Sequence, residues 1–395
     1  MPHPLRRRDL LIGGASILAA GALQGCAAGG RRTWGHAASA ERLEFLPLRA
    51  TTDRITQITV CTRPFRAQGP CLDVQKIGDK IVIHNYGHGG SGWSLSWGSS
   101  DIAVQKALDT NTRDVAVIGC GALGMTSALL LQRAGIRTTI YAKELPPNVR
   151  SSFATGVWSP DSRICLEQNL TPTFKQQWEQ MARKSFQTYQ TLLGLPGDPV
   201  EFFDSYTVTN EPITHAQENT PRGGRPPFAE LQRELIPDLI PRPKEYAPGT
   251  HSLNNRYLER TTSMMFNLAA YSRMLLADFR SNGGAIEIAE FHDPGDFASL
   301  RQKTLINATG YGARALFGDH SVTPVRGQVA RLIPQPEIHY GLYYKNAYFA
   351  PRRDGFVFQL TGEDDYYGFD DPTTVPNRAD AEAAVNTIAE LFLSA

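Results

Sequence analysis

The chain has 395 residues, 41% of them apolar and 20% charged. That is ordinary for a soluble globular protein, and long enough for two domains, or one large one, with a sizeable buried core. Lys+Arg 40 against Asp+Glu 39 leaves a net charge of +1, so nothing argues for a nucleic-acid surface or an acidic tail. No internal repeat or long low-complexity tract is visible. The cysteines Cys26, Cys61, Cys71, Cys120 and Cys165 form no CxxC pair, which removes zinc knuckles and thioredoxin-type chemistry. Cys61 and Cys71 either pair in an oxidising compartment or stay isolated thiols.

Residues 1–37 read as a processing segment outside the fold. Arg6–Arg7–Arg8 precedes Asp9–Leu10–Leu11, which fits the twin-arginine export pattern. Leu10 to Leu23 supplies the apolar stretch, too short for a mature span of about 20 residues. Leu23–Gln24–Gly25–Cys26 resembles a bacterial lipobox, with Gln24 in place of the usual small residue. The alternative is an uncleaved membrane anchor. The expectation is export across the bacterial inner membrane, to the periplasm or cell surface, with Cys26 a candidate lipid anchor. Gly29–Gly30 and Ala37–Ser39 look like a flexible tether.

Further along come Thr62–Arg63–Pro64–Phe65–Arg66 and the glycine-rich run His84–Gly98, HNYGHGGSGWSLSWG. In isolation an arginine is usually a solvated surface charge. His84 and His88 lack metal-ligand spacing with other ligands and read as structural. Asp114–Ile118 is a short β-branched run and predicts a buried parallel strand. Gly119–Cys120–Gly121–Ala122–Leu123–Gly124 follows at once. Met125 to Ala134 has helical apolar spacing and ends at Gly135, a C-cap signal. Arg137–Ala142 is the next strand. In this βαβ setting Gly119, Gly121 and Gly124 give a tight turn, backbone approach to a pyrophosphate and close helix packing, with the phosphates on the helix N-terminus. Glu144 lies 20 residues past Gly124, where an acid holds an adenosine ribose. Lys143 beside it reads as solvated or phosphate-facing. Later come Ser151–Pro160, the strand Gly284–Ala289 and Ile306–Gly310, which on its own is only a strand ending in a turn. Pro324–Gln328 and the Tyr344/Tyr348 pair follow; on spacing alone that pair could equally be ordinary half-buried aromatics.

Together these motifs resemble the D-amino-acid oxidase family of FAD-dependent oxidoreductases. There HNYGHGGSG-type residues come last and the dinucleotide turn first; here the order is reversed, as in a circular permutant. The likeness covers most of 43–100 and 114–395, and is thin across 200–260. It implies an α/β fold: a Rossmann-like FAD-binding domain with a mixed-sheet α+β substrate domain, in permuted chain order. The implied parts are the signal and tether at 1–37, a permuted C-terminal-type segment at 38–113, the FAD domain at 114–310 with a substrate-domain insertion near 165–260, and the substrate domain at 311–395. Ser100–Leu108 resembles the family's last helix, joined through 109–113 to the first strand. The new ends fall between the helix Ala379–Leu393 and the strand leading to Arg63. A chimeric gene is the other explanation; each motif occurring once favours the permutant.

The resemblance also assigns roles. Gly89, Gly90, Gly92, Trp93 and Ser94 meet the flavin, with the Gly90 carbonyl near the substrate amine. Gly119, Gly121, Ala122, Leu123, Gly124, Lys143 and Glu144 hold the adenosine and pyrophosphate. Ser151, Ser152, Thr155 and Gly156 run along the isoalloxazine, and the backbone of Ile288 meets adenine. Arg63, 21 residues before His84, holds the substrate carboxylate. Tyr348 adds a hydroxyl there, and Tyr344 covers the pocket. Ser91 replaces an aromatic residue common in the family, which widens the site. The implied reaction is FAD-dependent oxidative deamination of a D-amino acid by hydride transfer from Cα to flavin N5, with oxygen as acceptor giving hydrogen peroxide. A dehydrogenase using another acceptor is one alternative, and a non-catalytic exported flavin-binding protein another. The expected partners are a small amino acid and an electron acceptor; the oligomeric state stays open.

Overall fold

The computed structural model describes residues 42–213, 221–253 and 255–393. The twin-arginine motif, the apolar stretch and Cys26 lie outside the described residues. In chain order the elements are β1 (Ile55–Arg66), β2 (Val74–Ile77), β3 (Lys80–His84), α1 (Gly92–Leu108), β4 (Asp114–Ile118), α2 (Ala122–Arg133), β5 (Arg137–Ala142) and α3 (Pro172–Gln190). Then follow β6 (Val200–Thr209), α4 (Gln232–Leu235), β7 (Lys244–Tyr246), β8 (Tyr257–Phe266), α5 (Leu268–Ser281), β9 (Ala285–Ile288), β10 (Thr304–Asn307) and α6 (Ala313–Leu316). The last are β11 (Val322–Leu332), β12 (Tyr340–Tyr344), β13 (Ala347–Ala350), β14 (Phe356–Leu360) and α7 (Arg378–Ala389).

The apolar strand β4 sits where its sequence requires, inside a sheet covered on both faces. The order of that sheet is β2-β3-β10-β4-β5-β9. Its strands from β3 to β9 are parallel, and β2 closes one edge antiparallel. Helix α2 ends at Gly135, which takes φ 76°, the left-handed conformation that stops a helix cheaply only at glycine. Helix α1 starts at Gly92 rather than near Ser100. Its first turns are held by burial of Trp93, Leu95 and Trp97. Gly98 lets α3 cross closely, since a Cβ there would lie 2.2 Å from the Met181 carbonyl oxygen. Helix α3 begins at a Thr171 cap, whose side chain accepts from Phe174 N–H, with Pro172 in the first turn, a placement that needs no proline N–H.

The second sheet has the order β1-β11-β14-β13-β12-β6-β8-β7, antiparallel except for the β12/β6 pair. Strand β1 runs beside β11 from Ile55↔Leu332 to Arg66↔Val322. Residues 42–113 therefore supply strands to both sheets rather than a module of their own. Phe45, Leu48 and Ala50 share an apolar core with Ala384, Val385 and Ile388 of α7, so the segment before β1 lies against the last helix. Cys61 and Cys71 are both buried free thiols.

Candidate active site

A cavity of about 1590 Å³ lies between the carboxyl ends of β4 and β5 and the second sheet. At the end beside α2, Gly119 takes φ 108° and packs on Ala308, where a Cβ would come 2.6 Å from the carbonyl oxygen. Gly121 opens the start of α2: a Cβ there would meet only Ser151 Oγ, at 3.3 Å. That same hydroxyl accepts from Ala122 N–H at 3.2 Å. Gly119, Gly121, Ala122 and Leu123 all line the cavity, as do Lys143 and Glu144 at the end of β5. Lys143 is ion-paired with Glu290 at 3.2 Å.

Four predicted contacts fall elsewhere. Gly124 does not line the cavity; it faces β4, where a Cβ would come 2.0 Å from the Gly119 carbonyl oxygen. Its requirement is helix-to-turn packing. Ser152 is buried beneath the cavity wall, and its carbonyl accepts from Arg331 Nη2 at 3.2 Å. Ile288 is 69% exposed; the lining residues there are its neighbours Ala289 and Glu290. Tyr344 is buried in the core with Leu342 and Phe349, and the Arg256 guanidinium lies 4.7 Å from its ring. Alternation along β12 sends its neighbour Tyr343 into the cavity instead.

At the far end of the cavity, Arg63 projects from β1. Its Nη1 donates to the Arg326 carbonyl at 3.3 Å, and no carboxylate among the described residues pairs with it. Gly327 makes room, since a Cβ would come 2.4 Å from Arg63 Nη1. Arg66 is committed elsewhere, to Asp319 at 3.3 Å and Ser321 at 2.9 Å. Tyr343 and Tyr348 face each other in register across β12 and β13, and both line the cavity with Arg63. Burial pushes the Tyr348 hydroxyl up to about 12, so it remains a proton donor. Arg163 lines the same end, paired with Asp365 at 2.9 Å. Burial lowers its guanidinium to about 10.

The HNYGHGG run closes the wall between these ends. Gly89 takes φ 55°, and its N–H donates to the Pro64 carbonyl at 2.9 Å. A Cβ on Gly89 would come 1.9 Å from the Arg163 carbonyl oxygen, and one on Gly90 2.4 Å from Ser162 Oγ. Their smallness thus serves the 162–163 loop. At Gly92 a Cβ would meet nothing within 4 Å. Trp93 Nε1 donates to the Ser151 carbonyl at 2.8 Å, and Ser94 Oγ accepts from Ser159 N–H at 2.9 Å. These bonds tie α1 to the loop carrying Thr155 and Gly156, all of which line the cavity. His88 Nε2 bonds Ser99 Oγ at 2.7 Å, and Ser99 donates onward to Asn85 at 2.6 Å. The proton therefore sits on Nε2, and Nδ1 has no partner among the described residues.

Sequence reasoning missed Tyr343, Arg163, Arg150, Gln359 and Cys61 as lining residues. Strict alternation from Tyr348 through the hairpin could have found Tyr343. Arg163 carried no signal, because its partner Asp365 is 202 residues away.

The residues present fit FAD. A glycine turn whose Gly121 leaves the approach open leads to a helix N-terminus suited to a pyrophosphate, an acid stands just past the end of the next strand, and one elongated cavity joins both to Arg63. A D-amino-acid oxidase from Rubrobacter xylanophilus is 26% identical over 283 residues, covering 70% of this chain and 76% of its own length. One from Dictyostelium discoideum is 25% identical over 288 residues, covering 70% and 72%. Among solved structures, an iminodiacetate oxidase from Chelativorans sp. BNC1 is 14% identical with a TM-score of 0.46, covering 71% of this chain and 80% of that chain. The family model for FAD dependent oxidoreductases of the DAO type matches residues 114–394. The chain is an enzyme of that family, an FAD-dependent oxidoreductase.

Proposed function

We propose that this enzyme oxidises the Cα–N bond of D-amino acids, with oxygen as the final acceptor and hydrogen peroxide as product. The observation that carries the reading is Arg63, a guanidinium in the cavity wall with no acid partner among the described residues, beside Tyr343 and Tyr348. Bound FAD supplies the electron-accepting chemistry. Arg63 takes the substrate carboxylate as a two-pronged pair. Tyr348, kept protonated by burial, donates a further hydrogen bond to that group. The cavity wall excludes water and orients Cα, so that positioning replaces a dedicated base when the amine binds neutral. The curated relatives named D-amino-acid oxidases support the substrate class.

Arg63→Leu is the test. Removing one member of a buried charge pair costs about 3–5 kcal/mol. At about 1.36 kcal/mol per tenfold, kcat/KM for a D-amino acid should fall by roughly 10²–10⁴ while FAD stays bound. Near-normal turnover by the variant would remove the assignment. Mixing reduced enzyme with oxygen in a stopped flow separates an oxidase from a dehydrogenase.

We also propose a permuted chain order and export through the twin-arginine route with Cys26 as anchor. The family match begins at residue 114, yet β1 and β3 hold places in both sheets, which supports the first. Replacing Arg7 and Arg8 by Lys keeps the charge and should abolish export; Cys26→Ser should release the protein from the membrane fraction.

A further inference from the structure

The segment Ala154–Val157 lines the cavity, and guanidinium groups hold it from behind. Arg352, just past β13, is 0% exposed. Its Nη1 donates to the carbonyls of Ala154 at 2.8 Å and Thr155 at 3.3 Å, and its Nε donates to Asp354 at 2.9 Å. Arg331 on β11 reaches the Ser152 carbonyl from the same side. Among the described residues Arg331 has no ion-pair partner, and its Nε has no hydrogen-bond partner. Two guanidiniums against one carboxylate leave a net positive charge behind the segment.

The geometry of the peptide unit turns this into a consequence for the cavity. In a trans peptide the C=O and the next N–H point in opposite directions. The Ala154 and Thr155 carbonyls point back to Arg352, and the Gly156 carbonyl accepts from Phe266 N–H at 2.7 Å. The N–H groups of Thr155 and Gly156 therefore point away from Arg352 and that of Val157 away from Phe266, and none of the three donates to a backbone carbonyl among the described residues. Gly156 takes φ 81°, and a Cβ there would come 2.7 Å from the Phe266 carbonyl oxygen. Neither Arg331 nor Arg352 lines the cavity itself.

We propose that Arg352 and Arg331 are positioning residues for the flavin: they hold a row of backbone donors toward the ring, with positive charge behind, and so favour its reduced, more negative state. This rests on the reading that the flavin ring lies along residues 151–159, and not on the identity of the substrate. Donors and charge fixed before reaction stabilise developing negative charge without reorganisation.

The test uses the full-chain enzyme loaded with FAD and reads the flavin midpoint potential, the dissociation constant for FAD and the visible spectrum. Arg331→Met and Arg352→Met should each lower the potential and weaken FAD binding roughly tenfold or more, since the first removes one charge-assisted hydrogen bond to the loop and the second removes two. Arg352→Lys should restore part of both, since an ammonium keeps the charge but not the fork. Arg353→Ala, at a 55% exposed side chain paired with Glu201 and Asp198, should change neither. If both Met variants lose only thermal stability and keep the potential, the proposal fails. Should Arg352→Met not fold because Asp354 is stranded, Arg331→Met carries the same test, as it leaves no acid unpaired. Gly92→Leu checks the placement separately, because its side chain would enter open cavity space. Full FAD binding by Gly92→Leu would overturn the placement of the ring. Loss of FAD there, with unchanged potentials in both Met variants, would overturn the brace alone.

Discussion

At the scale of single residues, neighbours in sequence carry opposite duties. Tyr343 and Tyr344 differ by one position on β12 and therefore face opposite sides of the sheet. Tyr343→Phe is expected to lower kcat/KM by up to about tenfold, the worth of one neutral hydrogen bond, with Tm unchanged. Tyr344→Ala should do the reverse, costing about 3 kcal/mol of stability because the residue is only 4% exposed, with KM preserved. Steady-state kinetics beside thermal melts distinguishes the two outcomes. His88 makes a second prediction. Burial holds its imidazole at about 3, against an ordinary value of 6.5. Between those values the unfolded chain binds the proton and the folded one does not, so stability falls as pH falls below 6.5. The slope is about 1.4 kcal/mol per pH unit, or about 2 kcal/mol by pH 5. His84, held at about 4 by burial, adds a similar loss over that range. His88→Leu should flatten the fall of Tm between pH 7 and 5 by its own share; an unchanged slope would refute the buried neutral imidazole.

At the scale of elements, the unit β4–α2–β5 is written almost entirely in local sequence. Its strand run, its glycine turn and the Gly135 stop each have a short-range cause, and the observed bounds Asp114–Ile118 and Arg137–Ala142 follow the pattern. Even so, the turn divides its labour in a way that spacing does not show. Gly121 faces the cavity, while Gly124 faces the Gly119 carbonyl. Gly124→Val should therefore destabilise the protein with or without FAD, because the Gly119 backbone would have to move. Gly121→Val should leave the apoprotein folded, since its Cβ touches only a serine hydroxyl, and give colourless protein. Melting curves of apo and FAD-loaded samples of each variant test this split. Helix α1 was legible only in its second half. Its first turns, WSLSWG, have no amphipathic period, because α2 and α3 cover them from two sides.

At the scale of the whole molecule, chain order and spatial order part company. Residues 42–113 complete both sheets, and the segment at Phe45 lies on the last helix. A chain rearranged to run 114–395 and then 42–113 should therefore keep both sheets and bind FAD, as read by circular dichroism and the flavin spectrum. Aggregated, colourless protein would show that the present order is needed for folding. The sequence by itself determined the dinucleotide unit, because it depends on residues close together in the chain whose backbone freedom is its own cause, whereas the glycine-rich wall and Arg63 stood out through resemblance to the family. Only the tertiary structure decided which tyrosine faces the cavity, that Arg163 meets Asp365, and that Arg331 and Arg352 stand behind the 152–156 loop. Those pairings join residues 179 to 202 positions apart, and a sheet's two faces are told apart only by what packs against them.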